Sequence, residues 1–259
     1  MKIGGHAVLF KGRIVTDTVE ILQAFKDGGF EGVEIGARFF GTERKQELFD
    51  ALDKVGILMS AMHVGVPHDM LTNDPEKAKE TVLAVARFLQ GTPTTNIMMS
   101  GGARGEDYEI EKSFAVLEDI CKACNDLGIA VNYHNHAHEF MNGAKYYKLL
   151  CEKVPSLNFG FDLGWVYKGG YDPFKAVEEQ RGRLKYVHLR DFVNDKPRQQ
   201  DSTEDEFVDI GTGKFDLPRM IDLLQDVGAQ WAVVEYGRGE ESYERYARAG
   251  QYLNKLLKK

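Results

Sequence analysis

Eight short apolar runs, each followed by an amphipathic segment, divide this 259-residue chain into regular units. Short apolar runs bounded by turn residues predict strands, and the segments between them have the spacing of helices. The predicted strands span residues 2–9, 31–36, 57–64, 94–100, 129–135, 157–162, 184–190 and 231–236. Eight strand-then-helix units in about 250 residues predict a (β/α)8 TIM barrel, an α/β fold.

Start signals for helices support this division. Asp17, Asp74, Asp172 and Asp216 each stand where a side-chain oxygen can accept a hydrogen bond from a free amide of a first turn. No linker or change of composition interrupts the pattern, so we expect one domain over residues 1–259. A doubly wound sheet is the alternative fold, but it more often has a glycine-rich phosphate loop, for which Gly4-Gly5 is too short.

Composition limits the partners that the chain can have. Its 33 Lys and Arg residues are outnumbered by 40 Asp and Glu residues, which gives a formal net charge of −7. Because binding to a phosphate backbone usually needs a positive surface, we expect no nucleic-acid partner. No apolar run approaches the roughly 20 residues of a membrane span, and the first residues lack the apolar region of a secretory signal. We therefore expect a cytoplasmic protein with no membrane partner.

Two of the three cysteines have the spacing of redox and zinc motifs. Cys121 and Cys124 nevertheless continue a helical apolar pattern that includes Ile110, Phe114 and Leu117. This pattern predicts that both thiols lie on the buried face of a helix. The odd number of cysteines also argues against a disulfide framework.

Polar side chains stand at the ends of the predicted strands, where a (β/α)8 barrel has its active site. In chain order they are His6, Glu34, His63, Ser100, His134 with His136, Asp162, His188 with Arg190, and Glu235. Alternate residues of a strand share a face, so these groups are expected to meet at one mouth of the barrel. Their desolvation would be costly unless they shared a cation or a hydrogen-bond network.

A shared cation is the simpler explanation for this group. We predict that His134, Asp162, His188 and Glu235 hold one divalent metal ion. Nitrogen and oxygen ligands suit Mn, Co, Zn or Ni better than calcium. The alternative is a metal-free set of ion pairs that stabilises the top of the barrel.

Several motifs together carry a resemblance to a known family. They are Tyr133-His134-Asn135-His136, Phe161-Asp162-Leu163-Gly164-Trp165, Gly169-Gly170-Tyr171-Asp172-Pro173, Tyr186-Val187-His188-Leu189-Arg190-Asp191, Gly211-Thr212-Gly213 and Val234-Glu235. With these motifs the chain resembles the xylose isomerase-like TIM barrel superfamily, in its sugar phosphate isomerase/epimerase branch, which is related to inosose dehydratases and endonuclease IV. The resemblance spans essentially the whole chain and implies a divalent metal held by residues of strands five to eight.

One position departs from that family. Many of its sugar epimerases have a glutamate at the fifth-strand ligand position and a second at strand eight, and the pair exchanges protons with the substrate. Here strand eight has Glu235, but strand five has His134. The symmetrical two-glutamate mechanism therefore does not carry over.

The predicted function is that of a divalent-metal-dependent isomerase or epimerase in carbohydrate metabolism, acting on a small sugar or keto-polyol. The metal would chelate a carbonyl oxygen and the adjacent hydroxyl. A base, with Glu235, His63 and Glu34 as candidates, would remove the acidified proton, and Arg190 would help to stabilise the enediolate.

The alternative functions are those of a lyase, an endonuclease and a non-catalytic sugar-binding barrel, the last of which the complete set of candidate ligands disfavours. Loss of a β-substituent from the same intermediate would make the protein a lyase or dehydratase of a keto-inositol, keto-sugar or 3-keto-glycoside. An endonuclease would need several zinc ions and a basic binding face. The excess of acidic residues in the chain argues against such a face.

The remaining predictions concern contacts around the site. We expect His6, His136 and Trp165 to contact the substrate, although Trp165 could equally be a packing residue. Gly211-Thr212-Gly213 is interpreted as a turn before the helix at Asp216, with a phosphate cradle as the alternative. The charged segment 193–209 is interpreted as a lid or a partner surface, and a homo-oligomer is an open alternative.

Overall fold

Eight parallel strands close into a barrel in this computed structural model, which describes residues 1–101, 107–194 and 206–258. The strands of the chain are β1 (Lys2–His6), β2 (Gly32–Gly36), β3 (Leu58–Gly65), β4 (Asn96–Ser100), β5 (Ala130–His134), β6 (Asn158–Asp162), β7 (Leu184–Leu189), β8 (Asp191–Phe192), β9 (Phe207–Val208) and β10 (Trp231–Val234). The two-residue strands β8 and β9 pair antiparallel outside the barrel. Pairing of β1 with both β2 and β10 closes the ring, so the predicted (β/α)8 barrel is confirmed.

Helices surround the barrel and connect its strands. They are α1 (Arg13–Thr16), α2 (Thr18–Asp27), α3 (Lys45–Val55), α4 (His68–Asn73), α5 (Pro75–Leu89), α6 (Asp107–Asp126), α7 (Met141–Lys153), α8 (Leu163–Lys168), α9 (Pro173–Glu179), α10 (Leu217–Asp226) and α11 (Tyr243–Leu257). None of the helices in the described part of the chain is both long enough and apolar enough to cross a bilayer.

The strand predictions are right in number and differ mainly at the ends. The first predicted strand is too long, because residues 7–10 form a 3-10 turn directly after His6. The eighth ends at Val234, so Glu235 lies just beyond the last barrel strand. A polar residue at this position is free to turn toward the mouth of the barrel.

Three of the four predicted helix caps are confirmed. The carboxylates of Asp74, Asp172 and Asp216 each accept a hydrogen bond from a backbone amide of the first turn of their helix. The prediction for Asp17 is wrong, since its carboxylate instead accepts a 2.7 Å hydrogen bond from Arg13 Nε. An ion pair between residues four apart satisfies Asp17 without the backbone.

Two layers of apolar side chains support the mouth of the barrel. The barrel interior is filled by Ala61, Met98, Tyr186, Trp231 and Val233, and a larger cluster fills the space between strands and helices. Both Cys121 and Cys124 are buried in the larger cluster, on α6 as predicted. Since the interior is packed, the open space for chemistry is at the ends of the strands.

Candidate metal centre and substrate cavity

Four side chains from four consecutive barrel strands meet at the mouth of the barrel. His134, Asp162, His188 and Glu235 are all buried, and one ligand atom of each lies within 4.8 Å of the ligand atoms of the others. They stand at or just beyond the carboxyl ends of β5, β6, β7 and β10. The structure thus brings together the four residues predicted to hold a metal.

The donor atoms of this group have the chemistry that a cation needs. His134 Nδ1, His188 Nδ1 and Glu235 Oε2 are buried and have no hydrogen-bond partner. His188 Nδ1 and Glu235 Oε2 lie 2.5 Å apart as an ion pair, without the alignment of a hydrogen bond. An unsatisfied buried polar atom costs roughly 1–3 kcal/mol, so the unpartnered His134 Nδ1 beside this ion pair fits a site for a divalent ion.

Arg190 holds the two carboxylates of the group. Its Nε donates a 2.7 Å hydrogen bond to Asp162 Oδ2, and its Nη2 lies 3.0 Å from Glu235 Oε1. Burial would raise the pKa of Glu235, but the charges of Arg190 and His188 outweigh it and hold that pKa well below its usual range. Arg190 thus orients both carboxylates and keeps Glu235 ionised, whereas burial raises the pKa of Asp162 above its ordinary value in spite of Arg190.

Glu34 lies behind the histidines and has no exposed surface. Its Oε1 is 2.7 Å from His63 Nδ1, and its Oε2 is 2.7 Å from both His188 Nε2 and the Tyr186 hydroxyl. Burial would raise the pKa of Glu34, but His188, His6 and His63 together hold it well below its usual range. Both oxygens of this carboxylate are thus engaged by neighbouring side chains.

A cavity of about 640 Å³ opens beside the metal centre. Its polar lining includes His6, His63, Ser100, His134, His136 and Glu235. His63 Nε2 lies 2.9 Å from Ser100 Oγ and faces this space, while its Nδ1 is held by Glu34. Burial, together with the charges of His6 and His188, outweighs the effect of Glu34 and lowers the pKa of His63, which favours a neutral imidazole.

Of the three predicted substrate contacts, two line the cavity. The His6 ring stacks on His63 with centroids 5.2 Å apart, and His136 stands beside His134. Trp165 instead packs edge-on against Phe207 and lies behind His136, with ring centroids 5.8 Å apart. This placement supports the packing alternative for Trp165.

The sequence reasoning gave no role to two residues that orient the site. The sequence predicts Ser100 at the mouth of the barrel and Tyr186 on the same strand face as His188, and in the structure the Ser100 hydroxyl contacts His63 and the Tyr186 hydroxyl contacts Glu34. Tyr186 precedes His188 by two residues on the same strand, so both side chains point into the barrel. That spacing was the available signal for Tyr186.

The turn interpretation of Gly211-Thr212-Gly213 is confirmed. The backbone amides of Gly211, Gly213 and Phe215 all donate to the carboxylate of Asp191, at 2.9 to 3.0 Å. These amides are therefore occupied by a side chain of the protein, and a bound phosphate would have to displace it.

The segment predicted as a lid is only partly within the described residues. Residues 195–205 lie outside them. At the edges, Lys168 Nζ donates a 2.6 Å hydrogen bond to Glu206 in a fully buried ion pair, and Asn194 Nδ2 donates to the same carboxylate at 2.7 Å. Both edges of the segment are thus held against α8.

Comparisons with known proteins agree with the barrel fold. The family model described as xylose isomerase-like TIM barrel matches residues 6–256. An inosose dehydratase of Geobacillus kaustophilus (strain HTA426) is 26% identical over 195 residues, which cover 68% of this chain and 62% of that relative. The aligned region thus spans less than two thirds of the relative.

Solved structures with the same fold include proteins of two reaction classes. A sugar phosphate isomerase/epimerase from Parabacteroides distasonis ATCC 8503 aligns with a TM-score of 0.77 at 17% identity, covering 97% of this chain and 93% of that one. The probable 3-DHS dehydratase AsbF of Bacillus anthracis aligns with a TM-score of 0.76 at 18% identity, covering 98% and 99%. At these identities the similarity establishes the fold alone.

Proposed function

Because this chain belongs to the xylose isomerase-like TIM barrel family, we propose that it is a divalent-metal-dependent enzyme that removes a proton beside the carbonyl of a keto-sugar or keto-polyol. The observation that carries this proposal is the convergence of buried donor atoms of His134, Asp162, His188 and Glu235 within 4.8 Å of one another, with His134 Nδ1 lacking a hydrogen-bond partner. We propose Mn, Co, Zn or Ni as the ion, because the ligands are nitrogen and oxygen atoms. When bound, such an ion supplies Lewis acidity that polarises a carbonyl and acidifies the neighbouring carbon.

Among the three candidate bases, His63 is the one that we favour. Glu34 engages both of its oxygens with neighbouring side chains, and Glu235 belongs to the ligand group and is held by Arg190. His63 Nε2 faces the cavity, and Glu34 accepts a hydrogen bond from the opposite ring nitrogen. This pairing orients the imidazole and stabilises the charge that it would gain on taking up a proton.

Isomerisation and elimination both begin with this proton transfer. A two-carboxylate epimerase needs a free carboxylate on each side of the substrate, and His134 stands where one of them would be. A single base such as His63 suffices for elimination, in which the same group can pass the proton to the departing oxygen. We therefore favour a lyase or dehydratase and keep the isomerase or epimerase as the second candidate. The sequence alone favoured the isomerase or epimerase.

We further propose that the substrate is a small sugar derivative and that the protein acts in the cytoplasm as one domain, without nucleic acid. These points rest on the acidic composition and on the sugar-processing relatives. A homo-oligomer stays an open alternative.

The proposal is tested by metal content and by exchange of a substrate proton. We expect close to one Mn, Co, Ni or Zn per chain, loss of the metal in His188→Ala and in Asp162→Ala, and retention in the control His68→Ala, which changes a histidine on α4. With metal present, a keto-sugar or keto-inositol in D₂O should gain deuterium beside its carbonyl. Absence of metal after reconstitution with each ion would refute the proposal.

Mass detection of the product separates the two reaction classes. A product lighter than the substrate by water or by an alcohol indicates elimination. A product of equal mass indicates isomerisation or epimerisation.

A further inference from the structure

The cavity beside the metal centre is also lined by a set of apolar side chains, which we call its apolar wall. We propose that this wall binds an apolar, aromatic substituent of the substrate, so that the substrate is a keto-sugar bearing an aromatic aglycone. This inference rests on the proposed function, because it assigns the sugar part of the substrate to the metal end of the cavity.

The wall is built from four different parts of the barrel top. Its side chains are those of Val8, Ala37, Phe39, Val64, Ala84 and Val85. They come from the turns after β1 and β2, from β3 and from α5. Histidines and Glu235 line the same cavity, so one bound molecule would meet both polar and apolar groups.

Phe39 is the main feature of this wall. It lies in the 3-10 turn Ala37–Phe39, directly after β2, and is only partly buried. A Cβ atom at Gly36 would lie 3.3 Å from the Phe39 ring, so glycine lets the ring approach the backbone closely. The Arg38 guanidinium lies 4.7 Å from the ring centroid. Aromatic rings and guanidinium planes are both surfaces on which aromatic ligands stack.

A free monosaccharide does not account for this cavity. Pockets of roughly 300–1,000 Å³ hold ligands of drug size, and 640 Å³ exceeds the needs of one small sugar ring. A second sugar unit would bring several hydroxyl groups to the apolar side chains of the cavity, whose polar lining besides the histidines, Ser100 and Glu235 consists of Arg38 and Thr81. Buried hydroxyls without partners are unfavourable, whereas an aromatic group gains from the contact.

An aglycone at this wall is consistent with the elimination chemistry. His63 Nε2 takes the proton from the carbon beside the carbonyl, and the electrons of that C–H bond form the new C=C bond. The C–O bond to the aglycone breaks with its electron pair on oxygen, and that oxygen takes the proton back from the imidazolium. The products are an unsaturated keto-sugar and the free hydroxy-aglycone, and His63 returns to its neutral form.

The test compares two glycosides that differ only in the aglycone. Phenyl β-D-glucopyranoside and methyl β-D-glucopyranoside are titrated into the metal-loaded protein by calorimetry. Burial of a phenyl ring is expected to make the Kd of the phenyl glycoside lower by about tenfold or more. Phe39→Ser should reduce this preference to about twofold or less. The control Phe49→Ser, which changes a partly buried phenylalanine on α3, should keep it.

Each other outcome has a defined meaning. Equal Kd values, or no binding of the phenyl glycoside, would overturn the proposal. Tighter binding of methyl glucuronide than of the phenyl glycoside would also overturn it, and would indicate an anionic group held by Arg38. Metal content and deuterium exchange, measured on the wild-type protein, test the proposed function separately, so either one can fail while the other stands.

Discussion

Glu34 Oε2 lies 2.7 Å from His188 Nε2, and neither side chain is exposed. The other ring nitrogen of His188 faces Glu235, so the imidazole is held between two carboxylates. Burial would lower the pKa of His188, but Glu34 and Glu235 raise it to about 10. His188 is thus fixed in one orientation, with Nδ1 toward the candidate metal centre and Nε2 toward Glu34.

Removing the charge of Glu34 should weaken metal binding without removing a ligand. Glu34→Gln keeps the shape of the side chain but gives His188 a poorer hydrogen-bond acceptor. Loss of such an outer partner typically lowers metal affinity by roughly 10–100-fold. Titration with a competing chelator measures the affinity. Glu47→Gln, at an exposed residue paired with Arg44, should bind metal as the wild type does. An unchanged affinity in Glu34→Gln would mean that His188 needs no orienting partner.

Gly164 gives Arg190 its place between the carboxylates. A Cβ atom at Gly164 would lie 2.8 Å from Arg190 Cδ and 2.9 Å from the Phe207 ring. We expect Gly164→Ala to displace Arg190 from Asp162 and Glu235 and to lower kcat by about tenfold or more, since about 1.4 kcal/mol of lost stabilisation corresponds to tenfold. Steady-state kinetics on the substrate found by the keto-sugar screen measures this.

The matched control for that variant is Gly182→Ala. Gly182 has open space around its Cβ position, so its kinetics should be those of the wild type. Equal kcat values for Gly164→Ala and Gly182→Ala would show that the position of Arg190 does not limit the reaction.

The buried Lys168–Glu206 ion pair should matter for stability. Lys168→Met leaves the Glu206 carboxylate buried without its cation, which typically costs 3–5 kcal/mol. Denaturant unfolding followed by circular dichroism measures the change. The double variant Lys168→Met/Glu206→Leu removes both charges and should recover most of the loss. If the double variant were as unstable as the single one, lost packing would be the cause instead of the uncompensated charge.

Glu118 should make stability depend on pH in the acid range. Burial raises the pKa of Glu118, but hydrogen bonds from the Ser156 hydroxyl and amide, and the charge of Lys122, outweigh it and lower the pKa below its ordinary value of 4.5. Its stabilisation is therefore fully present above pH 4.5 and is lost as the pH falls through the lower folded-state value.

The matching variant is Glu118→Gln. At pH 7 it should be less stable than the wild type by roughly 1–3 kcal/mol, and the difference should shrink below pH 4.5. Urea unfolding at a series of pH values measures this. Glu111→Gln, on the exposed side of the same helix, should follow the wild type throughout. A difference that stays constant with pH would contradict the assignment to the ionised carboxylate.

The barrel and the side chains that meet at its mouth could be predicted from the sequence because both depend on local rules. Apolar runs of strand length recur eight times, and strand parity directs alternate residues to one face. Position at a strand end then places His134, Asp162 and His188 at the same mouth. The first strand was predicted too long because residues 7–10 are apolar and also fit a buried turn, which burial alone does not distinguish from a strand.

The partners of the buried polar groups were decided only by the tertiary structure. Closure of the barrel sets His188 and Glu34, which are 154 positions apart, at hydrogen-bond distance, and no local pattern encodes that contact. No local pattern encodes that His63 and Phe39 line the same cavity either. The sequence by itself thus determined which residues reach the mouth of the barrel. Their contacts depend on barrel closure and side-chain packing, and these settle which of them are held and which are free to react.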